Sequence, residues 1–401
     1  MADARTGSKP VLLFYCQHSL GIGHLTRSFA LVESLARRFR VVFLNGGRLP
    51  AGVPVPAGME RIDLPPLGMD DGHTVVSRDA GFDVAAAQAE RRRLIDAAVA
   101  ATRPAVLLVE LFPFGRKKFA GEILPMLRRA RAGGALAACS LRDILVDARP
   151  DQRRHDDRAR WLADRYFDLV LVHADPAFAR LGDSFRPTKP MRTPVVHTGY
   201  VVPERAPAAG RERGAHLLVS AGGGIVGEPL FRAVLAARAR LPAPPPLRIV
   251  AGPFLPEAAW QALRFDSAGE AGITLLRQVP DMVAEIRAAR ASISQCGYNT
   301  ALDVVVAGVP ALAVPYETAT ENEQRGRAER LAALGAMLCL DRGALDAGGL
   351  AAAIERLLAF TPRPAALRLD GAEASAQALV EHLAAHRRHR RIDTGAACAT
   401  A

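Results

Sequence analysis

Short apolar runs punctuate this chain, and apart from 291–294 (ASIS) they do not alternate with polar residues. They lie at 11–15 (VLLFY), 41–44, 105–109, 136–140, 169–173 and 195–198, and again at 216–220, 247–251, 273–277, 291–294, 311–314 and 337–340. A strand with one face in water alternates apolar and polar residues, whereas a sheet covered on both faces needs continuous apolar runs. The longer segments between the runs are rich in Ala, Leu and Arg and fit helices, for instance 25–39, 229–241 and 322–334. Strand–helix alternation with right-handed crossovers gives an α/β fold on doubly wound parallel sheets. The pattern runs twice, and the stretch between, 202–214 (VPERAPAAGRERG), has a linker's composition. We expect two Rossmann-like domains facing a cleft, 1–203 and 204–371. Residues 372–401 are expected to form a last helix over 372–385, then a basic, disordered tail opening on HRRHRR (386–391).

Composition narrows the function. Of 401 residues, 50% are hydrophobic and 23% charged, which suits large buried cores and excludes wholesale disorder. Five cysteines (16, 139, 296, 339 and 398) are an odd number with no close pairing, so a disulfide scaffold is not expected. There is no C-x-x-C or His-rich cluster of the structural zinc type. The formal charge is +11, and only Lys9, Lys117, Lys118 and Lys189 among the 52 cations are lysines. An Arg- and Ala-rich chain can reflect the base composition of its coding DNA; the alternative is a surface that attracts anionic lipid or phosphorylated ligands. No zinc finger, aromatic RNP-type motif or basic helix with interleaved aromatics points to nucleic acid. Residues 1–9 are polar, 11–16 is too short for a signal core, and 304–315 is broken by Gly308 and Pro310. The expectation is a cytoplasmic protein, with peripheral contact at the inner membrane face left open.

In open α/β sheets ligands bind beyond the carboxyl ends of the strands, so the loops after the runs carry the argument. The first run is followed by CQHSLGIGH (16–24). Gly21 and Gly23 permit close backbone approach, and His24 falls at a helix N-terminus, which favours the neutral imidazole a general base needs. Asp143 and Asp175 also follow runs; either suits orienting His24, binding an acceptor, or capping a helix. The third run leads into ELFPFGRKKF (110–119), where Glu110, Arg116 and three phenylalanines suit an amphipathic acceptor with a phosphate head, or equally a helix-packing role for the rings.

The second half opens with SAGGGIVGEP (220–229). Gly222, Gly223 and Gly224 ahead of a helix make an anion site. A nicotinamide dinucleotide would also want an acidic residue after the next strand, where Ala251-Gly252-Pro253 stands instead. A second glycine turn, SQCGYNTALD (294–303), offers Gly297, Asn299 and Thr300 to phosphate oxygens and Asp303 to ribose hydroxyls. Glu321, Glu323 and Gln324 then gather carboxylate and amide groups at a helix start, suited to sugar hydroxyls or to ordinary capping.

The block 296–334 resembles the nucleotide-sugar domain of GT-B glycosyltransferases, particularly the family 28, MurG-like type. The resemblance rests on GYNT (297–300), Asp303, Gly308-Val309-Pro310, Pro315, Glu323-Gln324 and Gly335. GIGH (21–24), 110–119 and SLRD (140–143) look like a group of bacterial predicted glycosyltransferases. The resemblance implies a GT-B fold, with a nucleotide-sugar donor, UDP-linked, in the second domain and an acceptor in the first. That acceptor is unknown, with lipid- and polysaccharide-linked ones in view. No cofactor or metal is implied, because helix dipoles and backbone amides offset the leaving pyrophosphate. By position Asp303 stands where the MurG-like pattern has a ribose-binding Glu, Glu323-Gln324 match the pair near the donor sugar, and His24 matches the first-loop His. The first loop departs from the GGTGGH-like form, so the MurG acceptor is not carried over. The expected reaction is an inverting hexosyl transfer with His24 and Asp143 as the catalytic pair. Gly21-Ile22-Gly23-His24 with Arg27 also resembles the loop of nucleotide-sugar hydrolases of the same fold, in which His24 would activate water; further alternatives are a non-catalytic nucleotide-sugar-binding protein and an epimerase of the same architecture.

Overall fold

The computed structural model describes residues 9–18, 23–50, 53–70, 74–204 and 213–398, the side chains of 391–398 excepted. The first half runs β1 (Val11–Cys16), α1 (Gly23–Arg38), β2 (Arg40–Asn45), β3 (Met59–Asp63), β4 (Leu67–Met69), β5 (Val75–Ser77), α2 (Val84–Thr102), β6 (Val106–Glu110), a 3-10 turn (Lys117–Phe119), α3 (Ala120–Ala132), β7 (Leu136–Arg142), α4 (Gln152–Tyr166), β8 (Leu169–His173), α5 (Leu181–Ser184) and β9 (Val195–His197). The second runs β10 (Leu217–Ser220), α6 (Glu228–Arg238), β11 (Leu247–Val250), α7 (Glu257–Asp266), β12 (Ile273–Leu276), α8 (Met282–Ala288), β13 (Ala291–Ser294), α9 (Tyr298–Ala307), β14 (Ala311–Ala313), α10 (Glu323–Ala333), β15 (Leu338–Cys339), α11 (Ala347–Ala359) and α12 (Gly371–Cys398).

Two parallel sheets result, ordered β3-β2-β1-β6-β7-β8-β9 and β12-β11-β10-β13-β14-β15. Every apolar run of the sequence is a strand in one of them. The reason for the missing alternation is visible in β1. Leu13 and Tyr15 point into one core with α2 and α3, and Leu12, Phe14 and Cys16 into the other with α1 and α12. Each such fully buried side chain contributes roughly 1.5–3 kcal/mol. β10 does the same with Leu217 and Val219 on one side and Leu218 on the other. The elements absent from the expectation are the exposed edge strand β3 (MERID), which has no apolar run to betray it, and the three-residue β4–β5 hairpin.

Strand order reverses between β1 and β6 and between β10 and β13, so each sheet has one switch point where a ligand crevice opens. α9 ties the two together. The Tyr298 hydroxyl donates to the His173 carbonyl (3.1 Å) and accepts from the Val201 amide (3.0 Å). Tyr298 and Leu302 thereby join the core of the first sheet.

The chain crosses to the second sheet after β9 and returns between α11 and α12. The two crossings are pinned to each other. Tyr200 N donates to Arg368 O (2.7 Å), Gly371 N to Tyr200 O (3.0 Å), and Val201 pairs with Asp370. Of the linker expected at 202–214, residues 205–212 lie outside the described residues. The last helix is longer than its sequence suggested: α12 runs on through 386–391 to Cys398, where a disordered tail was expected. Its Ala376, Leu379 and Leu383 bury against α1, so it completes the first domain rather than standing apart. No described helix is long and apolar enough to cross a membrane.

Candidate active site

His24 sits in the first turn of α1, at the switch point between β1 and β6. β6 ends on Glu110, which is fully buried. Its Oε1 lies 2.7 Å from His24 Nδ1 and also accepts from Arg27 Nη2, one helical turn along α1. An ionised carboxylate only accepts, so Nδ1 carries the proton, and in the neutral ring Nε2 keeps its lone pair. Burial pushes the imidazole down to about 4, against the partly opposing pull of Glu110. Burial alone would raise the Glu110 carboxyl, but His24, Arg27 and Arg116 outweigh it and hold it well below the usual carboxylate range. The ring is therefore neutral and basic at Nε2 at any physiological pH.

Across the cleft, Gly222 and Thr300 meet at the second switch point. Gly222 adopts φ 56°, and a Cβ on it would lie 3.2 Å from Thr300 Oγ1. Gly224 is more constrained, since its φ is 89° and a Cβ would lie 2.2 Å from the Ala251 carbonyl. Only glycine fits this approach of the 220–227 loop to β11, and Gly223 lies between the two. Gly297 caps α9, with open space around it, and the first amides of α9 face that space with the positive helix end behind them. Asn299 Nδ2 donates to the Gly23 carbonyl (2.9 Å), which brings the two helix starts, and so the two switch points, together. Asp303 stands further along α9, half-buried. The Gln324 amide oxygen accepts from Cys296 N (3.0 Å) and Tyr316 N (3.2 Å), fixing the loops after β13 and β14 to the start of α10.

Other expected residues fall elsewhere. Asp143 does not orient His24; that place belongs to Glu110. The Asp143 carboxylate is fully buried in a two-pronged pair with Arg327, Nε to Oδ2 at 2.9 Å and Nη2 to Oδ1 at 2.8 Å, with the Tyr200 hydroxyl on Oδ2 at 3.3 Å. Burial would raise it, and Arg327 overcomes that and lowers it. Asp175 holds structure: it accepts from Ala177 N (2.8 Å) and Arg368 N (3.0 Å). Glu323 is buried between Arg142 Nη1 (2.8 Å) and Arg327 Nη2 (3.0 Å) rather than open to the cleft. Glu321 is held above the usual range by partial burial and by Glu323 beside it. Arg116 stands in the loop after β6, its charge felt by Glu110. Gly21 lies outside the described residues, while Gly23 opens α1.

The sequence reading named Arg27 only in the hydrolase alternative, and it gave Arg142, Arg327 and Tyr298 no role of their own. Arg27 had a signal, since three residues past His24 is the same helix face. So did Arg327, four residues past Glu323 on α10. Tyr298 supports Arg27 from the opposite domain, its ring 5.1 Å from the guanidinium carbon. Among the described residues no group of three or more His, Cys, Asp or Glu is placed to hold a metal ion.

Residues 253–383 match the glycosyltransferase family 28 C-terminal domain. Among curated relatives, a UDP-N-acetylglucosamine–N-acetylmuramyl-(pentapeptide) pyrophosphoryl-undecaprenol N-acetylglucosamine transferase of Alkalilimnicola ehrlichii is 35% identical over 160 residues, 39% of this chain and 44% of that one. The transferase of the same name from Chromobacterium violaceum is 32% identical over 245 residues, 54% of this chain and 67% of that one. The matched span is thus about half the length of the first of these relatives and two thirds of the second. Two solved structures share the architecture end to end. The calicheamicin glycosyltransferase CalG4 has a TM-score of 0.56 at 19% identity, covering 96% of this chain and 98% of its own. MurG of Acinetobacter baumannii has 0.52 at 16%, covering 95% and 99%. The fold is GT-B, and a relative covered over two thirds of its length at 32% identity makes the chain a member of the family 28, MurG-like glycosyltransferases.

Proposed function

We propose that this protein transfers a hexose-type sugar from a UDP-linked donor to an acceptor hydroxyl with inversion, the second domain holding the donor and the first the acceptor. The observation that carries the reading is the neutral His24, its Nδ1 committed to Glu110, beside the open start of α9. In this reading Gly222, Gly223, Gly224, Gly297 and Thr300 seat the pyrophosphate, and Asp303 takes the ribose hydroxyls. Nε2 of His24 accepts the proton of the acceptor hydroxyl as it attacks the anomeric carbon. The α9 dipole and the loop amides offset the charge developing on the leaving diphosphate, so that positioning and fixed dipoles supply most of the acceleration. Lipid- or polysaccharide-linked acceptors and attachment at the inner membrane face belong to the same proposal.

A thermal-shift screen against UDP, GDP, dTDP, CDP and their sugar conjugates tests the donor. Ligand bound only to the folded state must raise the melting temperature. The expected result is a selective rise with the UDP series; no shift at millimolar concentration with any of them sinks the reading. Asp303→Ala is expected to weaken UDP binding by about 1–3 kcal/mol, the cost of losing hydrogen bonds to a charged group. An unchanged calorimetric affinity removes Asp303 from the ribose site.

The pH profile gives a second check. Protonated His24 cannot take a proton, so the rate should fall as pH drops through its folded pKa, about 4. The acid limb of kcat/KM is therefore expected well below the ordinary His value of about 6.5. A limb near the ordinary value would show that His24 is not held neutral by burial during the reaction.

A further inference from the structure

The buried charges in the cleft do not balance. Arg27 is matched by Glu110, Arg327 by Asp143, and Arg142 by Glu323. His24 is neutral. The guanidinium left over is Arg116, in the loop between β6 and α3. Among the described residues no carboxylate pairs with it, and its Nε and Nη2 are buried with no hydrogen-bond partner. Nε of Arg142, at the end of the neighbouring strand β7, is buried and unpartnered in the same way. Burial pulls the Arg116 guanidinium below its ordinary range against the opposing pull of Glu110, and Arg142 adds a smaller repulsion, so the two cations lie within each other's field. Oε2 of Glu110, the oxygen turned away from His24 and Arg27, is also unpartnered. Two guanidiniums within each other's field, each with a buried donor left unbonded, are costly unless an anion completes them.

We propose that Arg116 and Arg142 seat an anionic group, a carboxylate or a phosphate, carried by a substrate close to its reacting atom. The proposal rests on the glycosyl-transfer reading above and deepens it, since it makes one of the two substrates an anion next to His24. The group belongs either to the acceptor, near its attacking hydroxyl, or to the donor sugar, as a uronate carboxylate. Arg116 and Arg142 present several N–H donors to oxygens of either kind. The neighbouring Glu110 Oε2 suits a hydroxyl of the same substrate.

The test is calorimetric titration of inorganic phosphate into the protein, with and without saturating UDP, for the wild type, Arg116→Gln and Arg142→Gln. Expected are saturable binding to the wild type in both conditions and a loss of roughly tenfold or more in each variant, with UDP affinity held within about twofold. No phosphate uptake by the wild type, or equal uptake by Arg116→Gln, overturns the proposal. Should UDP itself not bind, the donor reading fails, while the titration without UDP still decides this one. Melting temperature guards against a folding artefact. Removing an unpaired buried cation is expected to leave Arg116→Gln at least as stable as the wild type, and phosphate should raise the melting temperature of the wild type alone. An Arg116→Gln protein that melts lower than the wild type makes Arg116 a structural residue and overturns the proposal. UDP-glucose and UDP-glucuronate distinguish the sources. A preference for the glucuronate of roughly tenfold that vanishes in Arg116→Gln places the anion on the donor. Equal affinities, with phosphate still binding to the UDP-glucuronate complex, place it on the acceptor.

Discussion

Replacing His24 with alanine is expected to lower turnover by roughly two to four powers of ten, the usual range for losing a general base. UDP affinity should change by no more than about twofold, because His24 stands on α1 of the first domain and the proposed nucleotide seat on α9 of the second. The split between kcat and donor binding is the informative quantity. A large loss of UDP affinity would assign His24 to holding the diphosphate rather than to taking a proton. Glu110→Gln refines the test. The amide keeps the shape but drops the charge that fixes Nδ1–H, so the ring can turn its lone pair toward position 110. Its turnover should fall less than that of His24→Ala. Equal activity of Glu110→Gln and the wild type would remove Glu110 from the positioning role. Free-sugar release measured in the same tubes separates transfer from hydrolysis, since both use the same base.

The second large effect is on stability. Arg327→Ala strands Asp143 and half of Glu323 in the interior, where both are almost fully buried. Removing one partner of a buried pair costs roughly 3–5 kcal/mol, because the remaining charge has neither water nor counterion. Urea denaturation should show this as a lower midpoint. The double variant Asp143→Leu with Arg327→Met is expected to recover most of it, since no unpaired charge is then buried. A double variant no more stable than Arg327→Ala would mean that the shape of the contact matters more than its charge. Both variants also loosen the junction between the domains, because Asp143 follows β7 of the first and Arg327 lies on α10 of the second.

Most of the architecture was legible because its signal is local. A run such as VLLFY, too short for a helix and apolar at every position, reads as a strand covered on both faces, and the run and its two cores are the same fact seen at two levels. β3 was illegible for the opposite reason: an edge strand with polar, exposed residues is stabilised by its ladder to β2 rather than by its side chains. The loops that gather at the two switch points could likewise be named from their place after strands. Their internal assignments could not. Asp143 and Asp175 look alike in sequence, each an acid after a strand, and Glu110 looks like part of an acceptor loop. Which acid meets His24 depends on strand order, which puts β6 beside β1 and β7 one place further out. The pairing of Asp143 with Arg327 spans 184 residues and two domains, so no spacing rule reaches it. Glu323 shows the same limit, since its neighbours in sequence said sugar hydroxyls and its neighbours in space are Arg142 and Arg327.

The position of α12 has a consequence for how the molecule is made. Ala376, Leu379 and Leu383 cover the apolar side of α1 and of the first sheet, and they are synthesised after every strand of both sheets. As the chain leaves the ribosome, the second sheet can close with its own helices, while the domain begun first waits for its last piece. During that interval Phe29, Leu35 and their neighbours have no cover. The earlier-born half is thus the later to be finished, and its nascent form is the species most open to aggregation or to chaperone capture.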